Sequence, residues 1–289
     1  MNRLIINADD FGYCPRRNRA ICDLFVEHRA ISSASLLVNG DFSDEARRVQ
    51  LPFGLHLNLT EGRPISVDRS RIRSLIDADG FFHGKFGLRT KLSNGEIERE
   101  HLLYEIEMQM IKFRELTNLE ISTHFDGHQH IHVHPMIVND LSQLARKHRF
   151  DFVRLPIDPL LKEVSWKNPF YDEIIEQSQS AKTIFDQHRL NYPKFFFGLT
   201  TMGKNMNFES VEQSLKYFSE HQDGNSFAEL MCHPGFPSDS NVGGCGTGHP
   251  DEFSQSIERQ NEFDVLSSKK MKIFFEKYNV QLSIYSMMP

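Results

Sequence analysis

Residues 123–135 read Thr123-His124-Phe125-Asp126-Gly127-His128-Gln129-His130-Ile131-His132-Val133-His134-Pro135, placing five of the chain's fourteen histidines within eleven residues. Polar and apolar side chains alternate there, so an extended backbone would set His124, Asp126 and His128 on one face. Neutral imidazole and carboxylate are groups that bind Zn²⁺ and related divalent ions. The same pattern also suits a polar strand end running into a solvated turn, so a site requires further ligands from elsewhere. The candidates are Asp9 and Asp10, His56 with Asn58, Arg154, and His233 before Pro234-Gly235. Taken singly each has an ordinary reading: a turn or helix cap, a core histidine, an ion pair, a turn residue.

Position relative to predicted elements ties them together. Apolar runs and turn residues predict strands over 4–8, 33–39, 53–60, 120–125, 150–155, 195–199, 226–232 and 280–285. Helical spacing predicts helices over 15–28, 42–49, 96–116, 135–148, 209–220 and 253–277, with 157–194 mostly helix and loop. Residues 61–95 read as an irregular insertion, and the Gly80 to Lys85 segment lacks the spacing and the Ser or Thr of a phosphate loop. Strands alternating with helices predict an α/β fold, a (β/α) barrel of about seven strands forming a single domain over residues 1–289. Barrels of this kind hold their chemistry at the C-terminal ends of the strands, where all five candidate groups fall.

Composition narrows the class. The 289 residues are 39% hydrophobic and 25% charged with a net charge of -6, without the basic excess that favours nucleic acid. No apolar run approaches the roughly 20 residues of a membrane span. The opening run meets Asp9 and Asp10 too early for a signal peptide, and the expectation is a cytoplasmic protein. The four cysteines, Cys14, Cys22, Cys232 and Cys245, have neither paired nor dense spacing, so reduced thiols are expected.

Four motifs carry a family resemblance: Asn7-Ala8-Asp9-Asp10-Phe11-Gly12; Gly54-Leu55-His56-Leu57-Asn58-Leu59-Thr60 with Gly62-Arg63-Pro64; Thr123-His124-Phe125-Asp126-Gly127-His128-Gln129-His130; and Met231-Cys232-His233-Pro234-Gly235. In this order, over essentially the whole chain, they resemble the YdjC/ChbG carbohydrate deacetylases. The animal YdjC-type members are most similar, through Asp9-Asp10-Phe11-Gly12-Tyr13-Cys14-Pro15-Arg16-Arg17 and Gly243-Gly244-Cys245-Gly246. The resemblance implies a deformed (β/α) barrel akin to polysaccharide deacetylases and hydrolysis of the acetamido group of N-acetylated sugars, with chitooligosaccharides the substrates of bacterial relatives. By motif position it implies Asp10, His56 and His128 as metal ligands, Asp9 as catalytic base and, more loosely, His233 as general acid. Arg154 would orient Asp9. The family is described with Mg²⁺, and two imidazoles with one carboxylate suit Zn²⁺ or another transition ion at least as well.

His124 and Asp126 read as groups behind the ligands, with His124 an alternative ligand; His130, His132 and His134 read as rim or structural residues. A metal-dependent phosphoesterase, with Arg154 and Lys204 as its phosphate cations, and a non-catalytic sugar- or metal-binding barrel are the competing classes. Phe81, Phe82 and Phe86 in the insertion could offer a sugar-stacking surface or simply pack it. A homodimer is compatible with the sequence, which gives no argument for one.

Overall fold

The computed structural model describes residues 1–119, 123–166, 168–247 and 250–289. Among the described residues there are eight parallel strands, β1 (Asn2–Phe11), β2 (Ser33–Leu36), β3 (Phe53–Leu57), β4 (Thr123–Gly127), β5 (Phe150–Val153), β6 (Phe195–Phe197), β7 (Phe227–Cys232) and β8 (Val280–Leu282). They lie in the order β5-β4-β3-β2-β1-β7-β6, with β8 beside the first residues of β1. The sheet curls until β5 meets the chain entering β6. There Asn191 donates its amide to the Asp151 carbonyl and accepts from the Val153 amide, each at 2.8 Å. This one-residue seam closes an α/β barrel that is deformed, as the resemblance implies.

The helices are α1 (Pro15–Asp23), α2 (Gly84–Ser93), α3 (Arg99–Thr117), α4 (Val138–Lys147), α5 (Pro169–Gln187), α6 (Phe208–His221), α7 (Glu252–Gln255), α8 (Glu258–Ser267) and α9 (Lys269–Lys277). Among the described residues, no helix is long and apolar enough to cross a membrane.

Because strand side chains alternate, each strand divides its residues between helices and lumen. Leu4, Ile6 and Ala8 of β1 join the main apolar core with Ile106, Met110 and Phe113 of α3 and Leu141 of α4. Ile5, on the other face, meets Phe152, Phe227, Tyr285 and Met288 in an apolar plug at the bottom of the barrel. Above the plug the lumen is polar, unlike the branched aliphatic layers usual in such barrels. Asn7 donates to Ser35 Oγ at 2.8 Å, Ser33 to Asn7 at 2.7 Å, and Ser35 to Asp126 at 2.6 Å, all buried. Asn7, Ser33, Ser35 and Asp126 thereby have partners, which offsets the cost of their desolvation.

Several expected elements differ. The insertion is not wholly irregular, because it contains α2; the helix expected over 42–49 is a 3₁₀ helix, Ser43–Arg48. The long helix expected over 253–277 is three helices, broken at Ser256 and at Ser268, whose Oγ accepts from the Met271 amide and starts α9. β4 was expected over 120–125, of which 120–122 lie outside the described residues; it ends at Gly127. The sequence also predicts a glycine-rich loop over Gly243 to Gly248, of which Gly248 lies outside the described residues.

Candidate active site

A regular strand would point Asp9 and Asp10 opposite ways, yet both line one cleft. The pairing of β1 with β2 shifts register between Ala8 and Phe11, and Asp10 takes a left-handed φ of +67°. Asp is among the few non-glycine residues that adopt this conformation readily. The bend turns Asp10 up beside its neighbour.

Asp10 Oδ1 lies 3.3 Å from His56 Nε2 and 3.2 Å from His128 Nδ1, and it has no hydrogen-bond partner despite its burial. Ligand atoms about 2.1 Å from one ion, at angles of 90–110°, stand roughly 3.0–3.4 Å apart. Both distances to Asp10 Oδ1 therefore match the spacing of ligands around a single divalent ion, and all three atoms lie within 4.8 Å of one another. Each ring is also fixed from behind by a carboxylate: His56 Nδ1 donates to Asp126 at 2.6 Å, and His128 Nε2 to Glu61 at 3.0 Å. Because carboxylates only accept, each ring is left with its other nitrogen's lone pair facing Asp10. Burial works against charge on both rings. Asp126 and Asp9 nevertheless drive His56 up to about 10, and the nearby carboxylates of Asp10 and Glu61 drive His128 up to about 9. The site is thus built to hold positive charge between the rings. Asp10 itself is held well below the carboxylate range, against its burial, by Arg17 and both histidines.

A second group, Asp9, His56 and Asp126, also has its ligand atoms close enough for an ion. A guanidinium already fills that place. Arg154 donates Nη1 and Nη2 to the two oxygens of Asp9, each at 2.6 Å, lies 3.0 Å from Asp126 Oδ2, and donates Nε to Glu229 at 2.8 Å. With Arg154 fully buried, these three carboxylates offset its desolvation, and they hold its pKa well above the ordinary value against that burial. Asp9 Oδ1 accepts from both Arg154 and Asn7, whereas Oδ2 accepts from Arg154 alone and lies 3.8 Å from His233 Nε2. Oδ2 is the oxygen with a lone pair to spare.

His233 follows β7, and its amide donates to Glu262 at 2.5 Å while its carbonyl accepts from Arg259 at 3.2 Å. Burial holds its ring down at about 3, with Arg259 and Arg154 adding to the effect although Asp9 opposes it. The structure thus brings Asp9, Asp10, His56, His128, Arg154 and His233 together. It places His124 apart, at the start of β4, stacked on Tyr285 near the apolar plug with ring centroids 3.9 Å apart. His124 is not positioned as a ligand. The chain leaves the extended conformation at His128, with left-handed Gln129 and His130, so the later histidines do not continue the strand. His130 lines the cleft, buried His132 bonds the Arg154 carbonyl through Nε2 at 3.0 Å, and His134 Nδ1 accepts from the Met136 amide. Asn58 organises a turn: its Oδ1 accepts from the amides of Thr60 and Glu61, and its Nδ2 donates to the Glu61 carbonyl.

That turn delivers Glu61, a residue sequence reasoning passed over. Glu61 also accepts from the Tyr13 hydroxyl at 2.8 Å, and Tyr13 accepts from the Asp251 amide at 2.8 Å. Arg17 and Arg259 were missed as well; they lie 3.1 and 3.4 Å from Asp10 Oδ2, the oxygen other than the one that faces the two histidines. The only signal was position: Arg17 ends one family motif, and Glu61 falls between the two pieces of another. Asp9, Asp10, His56, His128, His233 and Arg259 line a cleft of about 240 Å³ whose wall also includes Lys85, Phe170, Tyr171, Met231 and Phe253.

A family model described as YdjC-like protein matches residues 3–277. A carbohydrate deacetylase of Xenopus laevis is 37% identical over 302 residues, covering 98% of this chain and 97% of that protein. A carbohydrate deacetylase of Homo sapiens is 38% identical over 290 residues, covering 97% and 89%. A chitooligosaccharide deacetylase of Yersinia enterocolitica is 28% identical over 290 residues, covering 98% of each. A crystal structure from Enterococcus faecalis V583, described as that of a cellobiose-phosphate cleavage protein, shares the fold with a TM-score of 0.73 at 22% identity, over 99% and 98% of the two chains.

Proposed function

The chain belongs to the YdjC-like family, and from that premise we propose that it hydrolyses the acetamido group of N-acetylated sugars, releasing acetate and a free amine. The observation that carries the reading is the convergence of Asp10 Oδ1, His56 Nε2 and His128 Nδ1 beside the Asp9 carboxylate in one cleft. In this reading the three residues hold a divalent ion, Mg²⁺ by family resemblance and Zn²⁺ or another transition ion by ligand chemistry. Such an ion supplies Lewis acidity toward the acetamide oxygen and lowers the pKa of water.

The protein's own groups then handle protons. Asp9, held by Arg154 with Oδ2 toward the cleft, accepts a proton from the attacking water as oxygen adds to the carbonyl carbon. His233 is held neutral by burial, so it can donate only after receiving a proton. In this reading the proton taken by Asp9 reaches His233 Nε2, 3.8 Å from Oδ2, through one bridging water and passes to the amine as the carbon–nitrogen bond breaks. Arg154 orients the base and Glu262 orients His233 through its backbone.

The phosphoesterase reading loses its main cation, because Arg154 is engaged by three carboxylates. Elemental analysis for bound metal, with a screen of N-acetylated sugars for acetate release, tests the proposal. Asp9→Asn is expected to abolish acetate release while metal still binds, and His128→Ala to lose both. Full activity of Asp9→Asn would remove the assigned base, and metal binding without turnover of any N-acetylated sugar would favour a non-catalytic barrel.

A further inference from the structure

Two features at the mouth of the cleft have no part in the hydrolytic set. Lys85, in the first turn of α2, lines the cleft with Nζ 3.4 Å above the centroid of the Phe170 ring. Among the described residues it pairs with no carboxylate within 4.0 Å, and burial together with nearby Arg89 holds it down at about 8. Beside it Phe86 is 64% exposed and meets Phe170 edge-on, with centroids 6.0 Å apart. Of the three insertion phenylalanines it is the exposed one, with Lys85 Nζ 5.2 Å from its centroid: Phe82 is buried and Phe81 is covered by the Arg63 guanidinium at 3.9 Å.

This corner is fixed rather than loose. One turn along α2, buried Arg89 lies 3.3 Å from Glu173 and donates to Gln177 on α5 at 3.0 Å and to the Gln129 carbonyl at 3.1 Å. Gln129 directly follows His128, so α2 is clamped to the chain that carries a ligand histidine. The cleft, at about 240 Å³, lies below the roughly 300–1,000 Å³ of pockets that enclose drug-sized ligands. It has room for the acetamide-bearing unit, and anything attached to that unit must run out over the rim. A pyranose ring offers an apolar C–H face and oxygens at its edge, the complement of an exposed aromatic ring beside a lysine donor.

We propose that Lys85, Phe86 and Phe170 form a subsite for the sugar unit adjoining the one that is deacetylated, making these residues determinants of specificity for N-acetylated oligosaccharides over monosaccharides. The proposal rests on the deacetylase reading. The test compares kcat/KM for acetate release from N-acetylglucosamine and from its β-1,4-linked dimer, using metal-loaded wild type, Phe86→Ala, Phe86→Tyr and Lys85→Met. The wild type is expected to favour the dimer. Phe86→Ala and Lys85→Met each lower the dimer-to-monomer ratio about 5- to 10-fold, the scale of one aromatic or hydrogen-bonding contact, while Phe86→Tyr keeps it. A wild type without preference for the dimer, or a ratio unmoved by Phe86→Ala, overturns the subsite. If neither sugar releases acetate, the deacetylase reading falls instead. Calorimetric dimer binding to the same proteins then decides the subsite: weaker binding by Phe86→Ala supports it, and equal binding overturns it.

Discussion

Replacing Glu61 with alanine leaves His128 on the chain but removes the acceptor that fixes its ring. Glu61 Oε2 lies 3.0 Å from His128 Nε2, and Oε1 holds the Tyr13 hydroxyl at 2.8 Å. A hydrogen bond to a charged group contributes about 1.5–3 kcal/mol, and each 1.4 kcal/mol is about tenfold in affinity. The ion should therefore bind about 10- to 100-fold more weakly, as expected when the partner of a ligating histidine is lost. Glu61→Gln keeps an amide oxygen for His128 but turns its NH₂ toward Tyr13, so its loss should fall between wild type and alanine. Titration calorimetry of Zn²⁺ into metal-stripped protein measures the effect, with circular dichroism to confirm the fold. A folded Glu61→Ala protein that binds the ion as tightly as wild type would refute the reasoning.

Arg154→Met should cost about 3–5 kcal/mol in urea unfolding, because Asp9, Asp126 and Glu229 would be buried without their shared cation; a loss below about 1 kcal/mol would contradict that account. Burial is the main force holding His124 and His132 at about 4, below the roughly 6.5 of an unfolded histidine. Between these values the unfolded chain binds more protons than the folded one, so their contribution is present above pH 6.5 and is lost as pH falls toward 4. Two protons give about 2.7 kcal/mol per pH unit in mid-window, and His124→Phe should lower the slope by about half of that; an unchanged slope would show that His124 does not titrate this way.

The strands and the histidines that meet at Asp10 were legible because their signals are local. Leu4-Ile5-Ile6 running into Asp9-Asp10 announces a buried strand with acids at its end, and His56 and His128 sit in motifs. What escaped depends on residues distant in sequence. Glu61 becomes a partner of His128 only because Asn58 bends the intervening turn, and buried Glu105 and Gln109 of α3 hold that loop from outside. Arg154 was read as orienting Asp9, but its contacts with Asp126 and Glu229 need three strands to converge. α2 was hidden by its opening Gly84 and by Gly87, both poor helix formers, while its buried residues, Leu88, Arg89 and Leu92, are too few for a clear periodic stripe.

The positive φ of Asp10 limits how this centre could be redesigned. Lengthening the acid to glutamate is an obvious way to seek a different ion, but a longer side chain loses the short local hydrogen bonding that lets Asp tolerate that backbone, at a cost approaching the roughly 1–2 kcal/mol of a left-handed residue. Glycine would relax the bend and discard the ligand, leaving asparagine as the one neutral exchange that keeps both the conformation and an oxygen donor. Attempts to retune ion preference should therefore begin at Glu61 and Asp126, where the backbone imposes no such restriction.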